Sequence, residues 1–96
     1  SRIVHERVRR VAVCTGAGGS LLGEALRAGA ELYLTADLKY NDFMAPSGRL
    51  TVADIAHFES EYCAIEILFE IFSKNLRTFA VRKSRCSCNP VNYLCL

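Results

Sequence analysis

The chain has 96 residues, of which 51% are hydrophobic, and its formal net charge is +2 at pH 7. This composition supports one modest core and argues against disorder, while a small charge carried by dispersed basic residues gives no indication of a nucleic acid partner. No apolar run approaches the ~20 residues of a membrane span, and no signal peptide is recognisable.

Strand-like and helix-like segments alternate along the chain. Strands are predicted where β-branched and other apolar residues cluster, and helices where apolar residues recur every three or four positions. The predicted elements are, in chain order, a strand in residues 8–16, a helix in 21–29, a strand in 31–38, a short helix or turn in 39–48, a strand in 49–56, a long helix in 57–75, a fourth strand in 77–84 and an irregular tail in 85–96.

Polar residues, glycine and proline mark the predicted helix ends. Ser20 is the predicted N-cap of the first helix and Gly29 its C′ stop. Pro46 and Gly48 end the second helix, and Asn75 ends the long one. The long helix is expected to present an apolar face made of Phe58, Tyr62, Ile65, Leu68, Phe69 and Phe72.

The order βαβαβαβ predicts a single α/β domain over residues 1–96, with a three-layer α/β/α arrangement around a mostly parallel or mixed sheet. The strands are apolar enough to be covered on both faces. Ligands of such sheets bind outside the carboxyl ends of the strands. Three polar segments follow predicted strand ends and together indicate the site: TGAGGS in 15–20, TADLKYND in 35–42 and DIAHFESE in 54–61.

The third of these segments pairs an imidazole with a carboxylate. His57 and Glu61 are four residues apart, so they project from one face of the first helical turn. Both side-chain types ligate zinc, iron or manganese, although two ligands alone do not make a stable site. The alternative is a solvated His–Glu pair with acidic residues near a helix N-terminus.

The other two segments also have two interpretations each. The glycine-rich segment that contains Gly16, Gly18, Gly19 and Ser20 could cradle an anion, or it could be a flexible strand-to-helix turn. It lacks the third glycine of GxGxxG and the GK[ST] of a P-loop. In the polar cluster of 37–42, Asp37 could position a metal-bound water or accept a proton, or the cluster could be a solvated loop.

The cysteines bear on localisation and on metal binding. There are five, an odd number, which argues against a disulfide framework. Cys14 and Cys63 lie in apolar patterns and are predicted to be buried thiols, which suits a reducing cytoplasm. Cys86, Cys88 and Cys95 could supply thiolates, but the C-x-C spacing is tighter than usual and no second pair follows. We therefore expect no native metal site in the tail.

Taken together, VAVCTGAGGSLL, GAELYLTADLKYNDF and VADIAHFESE resemble, in this order, the C-terminal half of the Nif-three-like family. These are dinuclear-metal-centre proteins often labelled GTP cyclohydrolase I type 2 homologues. The resemblance covers about residues 9–93. Its motifs are a Gly/Ser-rich loop after a strand, a T-G-[DE]-x-K-[YH]-like segment and a D-x-G-H-x-x-[ST]-E segment.

The resemblance implies roles for specific residues. The His and Glu of the last motif are metal ligands in the family, and they correspond to His57 and Glu61. Asp37 and Asp54 then become candidates to accept a hydrogen bond from the second ring nitrogen of the histidine. The family's other ligands, a pair of histidines and an aspartate, lie in an N-terminal half that this chain lacks.

The resemblance also implies a larger functional unit. The chain would be a fragment of a longer protein that holds two divalent transition-metal ions per full-length chain, carries out metal-dependent hydrolysis and forms homo-oligomers, hexamers in the family. Its partners would be the missing N-terminal half and further copies of the protein, with no membrane. The alternative is a non-enzymatic, oligomerising binding module whose loops serve an anion or a protein.

Three positions depart from the family motifs. Ala56 and Ala36 replace glycines, and a methyl group there is tolerable if φ is negative, but it could narrow the pocket. Asn41 replaces a histidine that often follows the K-Y pair, which removes one polar partner. None of the three departures alters the two inferred ligands.

Overall fold

The structure is a computed structural model that describes residues 1–95, and the chain divides into two compact units, Ser1–Glu61 and the segment from Tyr62 onward. The first unit is built on a three-stranded parallel sheet in the order β1-β2-β3. Its elements are β1 (Val11–Ala17), a 3-10 turn (Gly19–Leu21), α1 (Leu22–Arg27), β2 (Leu32–Ala36), α2 (Tyr40–Met44), β3 (Thr51–Asp54) and α3 (His57–Glu61). The predicted α/β class is confirmed.

The core of the first unit lies on one face of the sheet. The side chains of Leu22 and Ala25 on α1 pack with Tyr33 of β2 and Val52 of β3, and Leu50 closes the cluster. Tyr33 is 2% exposed and Val52 is fully buried. Burying one large apolar side chain of this kind contributes about 1.5–3 kcal/mol, so these few residues stabilise the unit.

Gly29 ends α1 as predicted. Its φ of +69° is readily adopted only by glycine. Its N–H donates to the carbonyl of Leu26, and the N–H of Ala30 donates to the carbonyl of Ala25, both at 3.0 Å. This pair of bonds is a Schellman motif, and it turns the chain directly into β2.

The opposite face of the sheet is open at β1. Val11 and Val13 are 50% and 61% exposed, and they lie opposite Leu32 and Leu34 of β2, which are half-buried. The prediction that the strands are covered on both faces is therefore wrong for β1. The physical reason is that α1 covers one face of the sheet, while nothing in the described chain buries these two valines.

The second unit contains α4 (Cys63–Asn75) and the irregular residues after it. The single long helix predicted over 57–75 is therefore interrupted at Tyr62, which separates α3 from α4 along the chain. None of the residues of α4 is buried, and Leu68 and Phe72 are 47% and 43% exposed. The Nζ atom of Lys83 lies 2.8 Å from Oε1 of Glu66 and 5.0 Å from the ring centroid of Phe69.

The fourth strand predicted in 77–84 is absent from the described residues, where the sheet has three strands. A strand exists only when a neighbouring strand satisfies its backbone N–H and C=O groups. This segment instead begins with a turn in which the N–H of Phe79 donates to the carbonyl of Leu76 at 3.1 Å. Apolar, β-prone residues alone do not supply a pairing partner.

Two further expectations concern cysteines and membranes. Cys14 is half-buried and Cys63 is exposed at the first residue of α4, so the prediction of two buried thiols is wrong. Cys86, Cys88 and Cys95 are exposed. Within residues 1–95, no helix combines the length and the apolar character that crossing a membrane requires.

Candidate metal centre

The first side of the candidate site is the carboxyl end of β1. Gly16 has a φ of +65°, and its N–H donates to Oγ of Ser60 at 2.9 Å, while its carbonyl accepts from Oγ1 of Thr35 at 3.1 Å. A Cβ at position 16 would overlap Oε1 of Glu61 and would lie 3.4 Å from Nε2 of His57. Only glycine therefore leaves room for the carboxylate beside this strand end.

The loops after β2 and β3 form the second side. Asp37 follows β2 in the left-handed region, with φ 54°, a conformation that aspartate tolerates better than most residues. The Asp54 carboxylate accepts hydrogen bonds from the N–H groups of Leu38 at 3.0 Å and Ala56 at 2.9 Å. Asp54 thereby ties the two loops together through their backbones.

Ala56 carries the turn that leads from β3 into α3, and its φ is +65°. The condition under which a methyl group is tolerated, a negative φ, is therefore not met at this position. For an L-residue other than glycine, asparagine or aspartate, this conformation costs roughly 1–2 kcal/mol. Ala36, the other alanine in place of a glycine, lies within β2, is fully buried and is not among the described positive-φ residues.

His57 stands between two carboxylates. Its Nδ1 atom lies 2.6 Å from Oδ2 of Asp37, and its Nε2 atom lies 3.2 Å from Oε2 of Glu61. The three side chains are about half exposed, at 47%, 54% and 51% for His57, Asp37 and Glu61. The hydrogen bond that His57 donates to Asp37 raises the pKa of His57, desolvation opposes this, and the charges of Asp37 and Glu61 add to the rise.

These residues suit a metal ion in chemistry and spacing. Imidazole nitrogen and carboxylate oxygen are ligands of zinc, iron and manganese. Two such donors on one ion, with bonds of about 2.1 Å at 90–110°, are separated by roughly 3.0–3.4 Å, and the 3.2 Å between His57 Nε2 and Glu61 Oε2 lies in this range. In residues 1–95, no group of three or more His, Cys, Asp or Glu side chains is arranged to hold a metal.

The two aspartates predicted to support the histidine take different places. Asp37 contacts the second ring nitrogen, as expected of one of the candidates. The oxygens of Asp54 accept the two backbone N–H groups instead. The sequence motif alone could not choose between them, because both residues follow strand ends.

The rest of the glycine-rich loop packs closely against hydroxyl and carboxylate groups. The carbonyl of Gly18 accepts from the Tyr33 hydroxyl at 2.8 Å, and a Cβ at Gly18 would overlap the hydroxyl oxygens of Thr35 and Tyr33. A Cβ at Gly19 would lie 3.0 Å from Oδ2 of Asp42. The carboxylates of Asp42 and Glu61 beside this loop would repel an anion, which disfavours the anion-cradle interpretation.

Ser20 does not cap α1. It lies exposed inside the 3-10 turn, and the N-cap of α1 is Leu21, with no side-chain hydrogen bond at the cap. Asp42, by contrast, closes the start of α2, where its Oδ2 atom accepts the N–H of Lys39 at 2.8 Å. The extra 3-10 turn displaces the helix start by one residue, from Leu21 to Leu22, so Ser20 falls within that turn.

Ser60 is the site residue that sequence reasoning did not single out. It is 7% exposed, and its hydroxyl joins the strand end at Gly16 to the carbonyl of His57. A serine inside a polar helical segment gives no sequence signal of such a contact. Its partner at Gly16 lies 44 residues earlier in the chain.

Comparison with known proteins assigns this chain to a family. The family model described as Duf34/NIF3 (NGG1p interacting factor 3) matches residues 2–90. The chain belongs to the DUF34/NIF3 family. This result confirms the resemblance that the three sequence motifs indicated.

Curated relatives of this DUF34/NIF3 chain are much longer. A "GTP cyclohydrolase 1 type 2 homolog" of Archaeoglobus fulgidus is 36% identical over 78 residues, which cover 80% of this chain and 32% of the relative. A protein of the same name from Mycobacterium tuberculosis is 40% identical over 75 residues, covering 72% of this chain and 20% of the relative. The chain thus spans a third or less of the length of these proteins.

Solved structures agree on the fold. Staphylococcus aureus protein SA1388 superposes with a TM-score of 0.77 and 25% identity, over 91% of this chain and 26% of that protein. A Bacillus cereus protein related to NIF3 gives a TM-score of 0.69 at 24% identity, over 97% of this chain and 28% of that protein. The second comparison bears on fold alone.

Proposed function

We propose that this chain contributes His57 and Glu61 as ligands to a divalent transition-metal site in a longer DUF34/NIF3 protein. The supporting observation is that Asp37 occupies Nδ1 of His57, at 2.6 Å, while Nε2 faces the Glu61 carboxylate at 3.2 Å. Zinc, iron and manganese all accept this donor set.

Each side chain has a defined task. Asp37 accepts the Nδ1–H of His57, which selects the tautomer whose Nε2 lone pair faces Glu61. Glu61 provides negative charge beside this lone pair, over the bare backbone of Gly16. A bound divalent ion supplies Lewis-acid chemistry, which suits metal-dependent hydrolysis.

The proposed site needs residues beyond those of this chain. Structural zinc takes four protein ligands and catalytic zinc three and a water, whereas the residues that the structure describes bring together two candidate ligands, His57 and Glu61. The matched relatives have about three to five times the length that they share with this chain. We therefore propose that the rest of a longer protein, an N-terminal half, completes a site for two metal ions per chain.

The proposed reaction is metal-dependent hydrolysis of the GTP cyclohydrolase type. Support for the substrate class comes only from the names of the matched relatives. The proposed compartment is the cytoplasm, because no disulfide joins any of the five cysteines in the part of the chain that the structure describes.

A second candidate function, an oligomerising binding module, is favoured by the open face of the sheet. Val11 and Val13 are 50% and 61% exposed, whereas the apolar residues of a strand that is covered on both faces are buried. β1 also lies at an edge of the three-stranded sheet. Such edges pair with other chains. Homo-oligomerisation, in hexamers as the family resemblance implies, is compatible with either function.

Metal content tests the metal site. We expect full-length protein from metal-replete cells to retain about two transition-metal ions per chain, and His57→Ala and Glu61→Gln to lose metal. Glu24→Gln is the matched control, because it also removes an exposed carboxylate, on α1, and should retain metal. Equal metal content in all four proteins would contradict the proposal.

Sedimentation tests the oligomerising surface. The isolated chain should self-associate, and Val13→Lys should shift it toward the monomer. Tyr40→Lys is the control, because Tyr40 is 78% exposed on α2 rather than on the strand face. A monomer at high concentration in the unmodified chain would contradict association through this face.

A further inference from the structure

The hydroxyl group of Ser60 lies at the junction of the two sides of the candidate site. It accepts the N–H of Gly16 at 2.9 Å and donates to the carbonyl of His57 at 2.8 Å. Ser60 is 7% exposed although its neighbour Glu61 and the nearby His57 are about half exposed. A buried hydroxyl with both donor and acceptor functions engaged has one orientation.

This contact joins α3 to the end of β1. The Glu61 carboxylate lies in the space that a side chain at Gly16 would fill, and Nε2 of His57 would be 3.4 Å from such a Cβ. The positions of both inferred ligands therefore depend on the distance between Gly16 and the first turn of α3. Ser60 provides a direct hydrogen bond across that gap.

The hydroxyl groups of Ser60 and Thr35 both form hydrogen bonds with the backbone of Gly16 at the end of β1. Thr35 is fully buried and donates to the carbonyl of Gly16 at 3.1 Å, while Ser60 accepts the N–H of that residue. The peptide groups on both sides of the Gly16 Cα are thus fixed by side chains from β2 and α3. Glycine adopts positive and negative φ about equally readily, so these two hydrogen bonds help to hold Gly16 at φ +65°.

We propose that Ser60 is a positioning residue of the metal site: its hydroxyl fixes His57 and Glu61 relative to Gly16 and so presets their separation for one ion. This inference rests on the metal site proposed above. In this role Ser60 acts through its hydrogen bonds to Gly16 and His57 rather than as a metal ligand. Partners that orient ligands typically change metal affinity by about 10–100-fold when they are removed.

The first measurement uses the metal-free chain and Ser60→Ala. We expect the Gly16 amide proton to exchange with solvent at least about tenfold faster relative to the amides of Val13 and Leu34, because its acceptor is gone. The 15N signals of the His57 ring should also move toward those of a mixture of tautomers. Leu50→Val is the control: it weakens the core and should speed all three amides in parallel.

The second measurement uses zinc and the full-length protein, in competition with a chromophoric chelator. Ser60→Ala should bind zinc about 10–100-fold more weakly than the unmodified protein, and Leu50→Val should bind it with nearly unchanged affinity. An equal affinity loss in the two variants would show that Ser60 acts only through general stability, and this would overturn the proposal.

The two measurements separate this inference from the proposed function. If the unmodified full-length protein binds no zinc, iron or manganese, the metal site is wrong and the positioning role toward a metal fails with it. If the protein binds metal and Ser60→Ala leaves both the Gly16 amide and the zinc affinity unchanged, the metal site stands and the role of Ser60 is overturned.

Discussion

The Nδ1 atom of His57 lies 2.6 Å from Oδ2 of Asp37, although the two residues are 20 positions apart in the chain. They meet because β2 and β3 are parallel neighbours, so the loops after both strands begin at the same edge of the sheet. The pair leaves only Nε2 of the ring to face Glu61. Because of this contact, the pKa of His57 depends on the charge of Asp37.

Asp37→Asn should lower the pKa of His57 in the metal-free chain. The hydrogen bond that His57 donates to the Asp37 carboxylate is the main cause of the raised pKa, and the asparagine amide carries no charge to favour the imidazolium. An NMR titration of the ring protons should show the pKa falling toward the ordinary value of about 6.5. Glu24→Gln, a control on α1, should leave it unchanged.

The same pair should make stability depend on pH. A histidine whose pKa is raised by folding contributes stability that is fully present below its unfolded pKa of about 6.5 and is lost as pH rises through the higher folded pKa. Urea unfolding should therefore show a larger difference between the unmodified chain and Asp37→Asn in mildly acidic buffer than at pH 8.5 or above. A difference that grew with pH would contradict the assigned contact.

Gly16→Ala should destabilise the chain and displace the Glu61 carboxylate. The alanine would adopt φ +65° at a cost of roughly 1–2 kcal/mol, and its methyl group would overlap Oε1 of Glu61. Chemical denaturation measures the first effect, and loss of metal from the full-length protein measures the second.

Gly23→Ala is the matched control for that substitution. Gly23 lies in α1, and a Cβ there would meet no atom within 4 Å. Replacing glycine by alanine within a helix typically stabilises it by about 0.5–1 kcal/mol. The two substitutions should thus change stability in opposite directions, and equal effects would show that the close approach at Gly16 is unimportant.

Ala56→Gly should stabilise the chain by about 1 kcal/mol, because glycine removes the cost of a left-handed φ of +65°. Ala36→Gly is the opposite case: Ala36 is fully buried in β2, where glycine should cost about 0.5–1 kcal/mol. Thermal melts of the two variants decide the matter. A loss of stability in Ala56→Gly would contradict the strained turn before α3.

His57→Ala and Glu61→Gln should leave the fold of the metal-free chain intact, because both side chains are about half exposed. Leu50→Ala should cost about 2–5 kcal/mol, since Leu50 is 1% exposed in the core. Leu68→Ala should cost much less than Leu50→Ala, because Leu68 is 47% exposed on α4. Unfolding by His57→Ala as severe as that by Leu50→Ala would make the His57 side chain a structural contact.

The sequence predicted the three strands, the glycine stop after α1 and the convergence of three strand-end segments. These features depend on local composition and on the general geometry of parallel sheets. Gly29 is a local signal for the end of a helix, and His57 follows the end of a parallel strand. The spacing of His57 and Glu61 allowed either a pair of metal ligands or a solvated surface pair. The resemblance to the family favoured the metal ligands.

Other features could not be read from one sequence because they depend on distant partners. Residues 77–84 have the composition of a strand, but no neighbouring strand pairs with them in the described chain. Leu68 has helical apolar spacing, yet burial requires a surface to cover it. Ala56 has a positive φ in a turn that is held by a hydrogen bond from its own N–H to the Asp54 carboxylate. The identity of an alanine in the sequence gives no indication of this backbone conformation.

The strand order has a consequence for how the protein is made. Val11 pairs with Leu32, and Leu32 with Thr51, so each crossover returns to the neighbouring strand after about twenty residues. Closing a crossover of about twenty residues costs less chain entropy than bringing together Gly16 and Ser60, which are 44 residues apart. As the chain leaves the ribosome, all three strands emerge before α3, so the inferred ligands are synthesised after the strands whose ends they meet.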